Sequence, residues 1–316
     1  MKKLFIIWVC ILTTPAFGQD TALSNLKHFD HHIFSVTTIG NDIHTDSVSA
    51  FVSLSDIYYD SLAVPASYIT HQQSIPFDSL KFFELEPVYR QRLLKGAALT
   101  EQDTLFLYDY ARNSLEKAPL KTLKAIAQLT PYASEGDEIY VDSYMIGFEI
   151  GQHLMRESRK EYYDHVLVAI GPENPFAQQQ LRLITWEAVN EPPIDWQGFE
   201  TSPLYRYQQD GNTFFVGDVR NGEDAWLSGR KLLVLGAGGE VLVSKDFRDS
   251  EGVSLTSLNI ADENGADFRE GQWTGKLFKQ SPSVVFGFEY FSFGCPSIIL
   301  LDQAYADVII YCDNRH

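Results

Sequence analysis

Hydrophobic positions along this chain come in short runs, and their spacing changes character near residue 200. Residues 33–62 are rich in Ser, Thr, Val, Ile and Tyr. They alternate in part, as in Val48-Ala50-Val52-Leu54, which predicts one or two strands. Ser79 to Lys95 reads as partly helical, interrupted by Pro87. Thr104 to Tyr110, Tyr144 to Ile150 and His165 to Ile170 are β-favouring runs, the last one apolar enough for a buried strand. In the segment from Pro119 to Pro131, Leu120, Leu123, Ile126, Ala127 and Thr130 recur at helical spacing, which predicts a helix started by one proline and stopped by the other. Gly151 to Tyr162 reads as a charged surface helix. Asn174-Pro175 reads as a cap and first turn for a further helix, with Ala177, Leu181, Ile184 and Ala188 on one face.

Beyond residue 200 the punctuation tightens. Asp210-Gly211-Asn212, Asn221-Gly222 and Gly236-Ala237-Gly238-Gly239 separate the runs Thr213 to Val216, Lys231 to Leu235 and Glu240 to Ser244. Turn residues at such intervals predict an antiparallel meander. The last pattern is a hairpin: Ser297 to Leu301, a polar connection, then Val308 to Tyr311. If Leu301 pairs with Ala306, Ile298 faces Ile309 and Cys295 faces Cys312, which predicts a disulfide across the strands. The class expected from these patterns is α+β. A mixed helix and strand region, 19–197, precedes an antiparallel β-rich region, 198–316, that ends in the disulfide hairpin.

The N-terminus adds a compartment. Lys2 and Lys3 precede the apolar run Leu4 to Leu12, and Ala16-Phe17-Gly18 supplies small residues before Gln19, as in a signal peptide over residues 1–18. No run reaches the roughly 18–20 apolar residues of a membrane span. The expectation is an exported protein, periplasmic or extracellular, where a disulfide persists. The formal charge of −17 disfavours nucleic acid and anionic lipid as partners. With 45% hydrophobic residues, 16 Tyr and 21 Phe, the chain has ample material for a core and for aromatic contacts to a glycan or protein ligand.

Candidate chemistry is sparse. The Gly236–Gly239 run has the wrong spacing for a dinucleotide loop and leads into a strand, so it predicts a turn and no cofactor. His28, Asp30, His31 and His32 gather within five residues; on a helix His28 would share a face with His31 and His32, and the group would offer ligands to one divalent ion. Asp262, Asn264 and Asp267 surround Gly265, but Ala266 and Trp273 occupy positions where a calcium-binding helix–loop–helix needs oxygen ligands.

One stretch carries a resemblance. Trp186-Glu187-Ala188-Val189-Asn190-Glu191-Pro192 is similar to the Asn-Glu-Pro signature of retaining glycoside hydrolases built on (β/α)8 barrels. The resemblance implies Glu191 as acid/base and Glu289, in Phe286-Gly287-Phe288-Glu289, as nucleophile. The rest of the pattern opposes a barrel: residues 198–290 hold hairpin turns where strand–helix units belong. The sequence therefore favours a non-catalytic binding or envelope-associated protein. A hydrolase using Glu191 and Glu289, and a metal protein using the His28–His32 cluster, are the alternatives.

Overall fold

The computed structural model describes residues 26–39, 49–150, 165–190, 203–221, 226–261 and 271–314. Residues 1–18, 151–162, Glu191 and 262–267 lie outside them, and so do the leader, surface-helix and calcium-loop readings that fall there. In chain order the first elements are β1 (Ile33–Phe34), β2 (Thr37–Ile39), β3 (Ser49–Ser53), α1 (Ala66–Thr70), α2 (Phe77–Lys81), β4 (Phe82–Glu84) and α3 (Pro87–Gly96). Then come β5 (Thr104–Asp109), β6 (Ser114–Pro119), β7 (Ala125–Leu129), β8 (Tyr144–Ile150), β9 (Val166–Gly171), β10 (Leu181–Leu183) and β11 (Glu187–Val189). The meander is β12 (Leu204–Gln209), β13 (Asn212–Asn221), β14 (Trp226–Leu235) and β15 (Val241–Arg248). The remainder is β16 (Val253–Leu255), β17 (Trp273–Gly275), β18 (Val284–Phe286), β19 (Glu289–Phe291), β20 (Ser297–Leu300) and β21 (Val308–Tyr311).

Of the described residues, 44% lie in strands and 12% in helical turns, so the α+β expectation is overturned: the fold is mostly β. Two predicted helices are responsible. Over 119–131 the chain makes a single 3-10 turn, Leu120–Thr122, and then β7, which is held between β4 and β8. Ala125, Ala127 and Leu129 enter one core, while Ile126 joins Phe51 and Met145 on the opposite face. A strand buried on both faces reads as a continuous apolar run, and helical spacing can be found in such a run by chance. Over 174–190, Asn174 Oδ1 accepts from the Phe176 N–H at 2.9 Å and turns the chain, which continues as β10 and β11. Pro87, expected to interrupt a helix, instead occupies the first turn of α3.

Nine strands form one sheet in the order β10-β17-β18-β20-β21-β1-β9-β5-β6. It draws on both ends of the described chain, with β1 parallel to β21 and antiparallel to β9. Side-chain parity then divides its residues among three cores. In β5 and β9, Leu105, Leu107, Val166 and Val168 pack toward the sheet β2-β3-β8-β7-β4 and the helices above it. Their neighbours Phe106, Tyr108, Leu167 and Ala169 face the hollow of the nine-stranded sheet, with Val284, Phe286, Ile298 and Leu300. Val285, Ile299 and Leu301 point the other way, onto Phe214, Val216, Leu232 and Val234 of the meander sheet β11-β12-β13-β14-β15. The Gln179 N–H donates to Asn113 Oδ1 at 2.6 Å, so the β10 end of the nine-stranded sheet curls back to the β5–β6 turn.

The terminal hairpin forms with the predicted disulfide, Cys295 to Cys312, across a Cα separation of 5.6 Å. Its register differs by one residue from the expected pairing: Ser297 faces Ile309 and Ile298 faces Val308. That slip sends Val308 and Ile310 into the core and leaves Ile309 outside, as the strict two-residue period of a strand requires.

Candidate functional site

A cleft of about 970 Å³ opens where the meander, the small β16–β19 sheet and the nine-stranded sheet meet. Clefts of about 300–1,000 Å³ hold small ligands. Phe288 and Phe247 stack at 5.0 Å and are buried at its base. Tyr290 lines the same cleft with its side chain largely in solvent.

A buried polar network holds the base in place. Gln272 is fully buried; its Nε2 donates to Thr256 Oγ1 (3.0 Å) and to the Ser257 carbonyl (2.9 Å), while its Oε1 accepts from Trp186 Nε1 (2.9 Å). Thr256 Oγ1 donates to the Gly287 carbonyl at 2.6 Å. Arg230, paired with Asp218 at 2.6 Å, donates through Nη1 to the Thr256 carbonyl. Gly287 has φ +92°, and a Cβ there would meet the Gly271 carbonyl oxygen at 2.6 Å, so only glycine fits the crossing. Together these contacts position the strand that begins two residues later with Glu289.

Glu289 is half-buried in the cleft wall, and burial pushes its carboxyl above the usual carboxylate range, with Lys245 opposing the shift. Lys245 is itself engaged by Asp307 at 2.8 Å. The cleft thus presents a half-buried carboxyl beside an ammonium–carboxylate pair. A glycosidase nucleophile must be ionised. The environment of Glu289 works in the opposite direction. Glu191 lies outside the described residues, two positions beyond β11.

The His28–His32 stretch is not helical: it follows the Lys27–Tyr305 bridge, bends at Asp30 and His31 and continues into β1, so its side chains do not share a helical face. Phe29 packs on Phe278 at 4.2 Å, His31 lies against Phe29, and His32 lies against Tyr311. Desolvation there, with His31 adjacent, lowers the His32 pKa. Among the described residues no group of three or more His, Cys, Asp and Glu side chains is placed to hold a metal ion.

Lys245, Thr256, Tyr290 and Asp307 carry no motif and are scattered along the sequence, so nothing in the sequence singled them out. Only Glu289 was legible beforehand, and for a different role. No protein-family model, curated protein or solved structure matches the chain.

Proposed function

We propose that this chain is an exported binding protein that takes a neutral, hydroxyl-rich ligand of the saccharide class in the Glu289 cleft. The observation that carries the reading is the composition of that wall: a half-buried Glu289 beside the Lys245–Asp307 pair, with the exposed Tyr290 lining the same cleft. Carboxyl groups and paired charges exchange hydrogen bonds with hydroxyls, and aromatic rings cover the apolar faces of sugars. The Cys295–Cys312 disulfide fits an oxidising compartment. Among the described residues no helix is long and apolar enough to cross a membrane.

A glycan array followed by calorimetry tests the proposal. Tyr290→Ala and Glu289→Ala are each expected to weaken a neutral oligosaccharide hit by about tenfold, the loss of one good contact. Glu289→Gln, which keeps hydrogen-bonding atoms at the same place, is expected to retain more affinity than Glu289→Ala. Affinity indifferent to both alanine variants would overturn the assignment.

A further inference from the structure

A second recess lies where the curled ends of the nine-stranded sheet approach each other. Its inner part, about 360 Å³, is bounded by Tyr108, Asn113, Leu181, Arg182 and Trp273. An outer part, about 520 Å³, continues past Arg182 to Tyr207, Gln209, Asp210 and Lys276. Gln179 and Arg182 line both parts.

Three features set it apart from the rest of an acidic surface. Arg182 is steadied by its own backbone surroundings: Nη1 donates to the Gln179 carbonyl at 3.1 Å and the Leu181 carbonyl at 2.9 Å. Among the described residues neither Arg182 nor Lys276 is in an ion pair. Lys276 Nζ instead donates to the Ser281 carbonyl. Two cations therefore line a recess whose one acidic lining residue is Asp210, in a chain of formal charge −17.

The third feature is the lining itself: the buried Trp273 ring borders the inner part. Arginine, with several N–H donors in a rigid fork, is suited to carboxylate and other oxyanions. The outer wall adds the half-buried Tyr207 ring, whose hydroxyl donates to Gln209 Oε1 at 2.7 Å, and the side-chain amides of Gln179 and Gln180. Planar amides and an aromatic ring suit a sugar; the cations suit an oxyanion.

We infer that this recess is a second binding site, for an acidic saccharide whose carboxylate or sulfate group is taken by Arg182, with Lys276 drawing the charge of a neighbouring unit. The site is independent of the Glu289 cleft, although Tyr110 lines both.

The test is calorimetry on the full mature chain at low and moderate salt. The probes are an oligogalacturonate for carboxylate, a heparin-derived oligosaccharide for sulfate, a neutral oligomer of the same length, and inorganic sulfate as competitor. At least one acidic probe is expected to bind and to weaken with salt. Arg182→Gln is expected to lower its affinity about tenfold, in line with loss of a charge-assisted contact. Lys276→Gln is expected to lower it severalfold. Lys117→Gln, the same charge change at an exposed residue on β6, is expected to have little effect. The inference is overturned if neither acidic probe binds, or if Arg182→Gln and Lys117→Gln behave alike. Equal binding of the neutral oligomer, or displacement by inorganic sulfate at the same concentration as the oligosaccharide, overturns the acidic-saccharide assignment. Acidic binding lost in Arg182→Gln supports the recess even if no neutral sugar binds the cleft.

Discussion

Tyr144 shows how far a single buried group can depart from its preferred surroundings. It is 1% exposed, its hydroxyl has no partner, and burial with nearby Tyr68 pushes its pKa up to about 12. A hydroxyl removed from water without a new bond is a net cost, so Tyr144→Phe is expected to stabilise the fold by about 1 kcal/mol in urea titration. An unchanged or lower midpoint would show that the hydroxyl is satisfied after all. Glu289 gives a second residue-scale prediction. Its folded pKa is raised, so the folded state holds this proton to higher pH than the unfolded chain does. Stability from this group is therefore greatest below the ordinary Glu range, about pH 4.3, and falls as pH rises through the folded value. Glu289→Gln should match the wild type in acid and exceed it at neutral pH; a gap constant with pH would contradict the raised value.

Among elements, β3 and β8 depend on one close approach. A Cβ on Gly147 would lie 1.9 Å from the Val52 carbonyl oxygen, a backbone atom that cannot rotate aside. Gly147→Ala should cost at least the roughly 1–3 kcal/mol of an overpacked core, and more if the strands must separate; chemical denaturation measures it. The Cys295–Cys312 bridge closes a loop of sequence separation 17. On chain-entropy grounds, Cys295→Ser with Cys312→Ser should lower stability by about 3 kcal/mol, seen as a matched drop in denaturation midpoint. This bridge was legible in the sequence because two cysteines flank two apolar runs around a polar connection. The one-residue register was not, since it depends on which of Val308, Ile309 and Ile310 the surrounding core accepts. The segment 119–131 was misread for a related reason. Its alternation is hidden by burial on both faces, and β4 and β8 override the helix preference of Ala and Leu there.

At the scale of the whole molecule, β1 lies between β21 and β9, so residues near both ends of the described chain share one ladder. Unfolding followed by tryptophan fluorescence and by far-UV circular dichroism is expected to give coincident transitions. Two resolved transitions would mean that the sheets on either side of the shared one unfold separately.

The sequence by itself determined what is local: the β8 run, the meander with its glycine turns, the disulfide partners and the acidity of the surface. Each follows from neighbouring residues or from composition alone. Only the tertiary structure decided that 119–131 and 174–190 form strands in place of helices, that one sheet serves three cores, and that Glu289 meets Lys245 and Asp307 in a cleft. Those outcomes depend on strands far apart in sequence meeting in one register, and side-chain parity at such a meeting cannot be read from either strand alone.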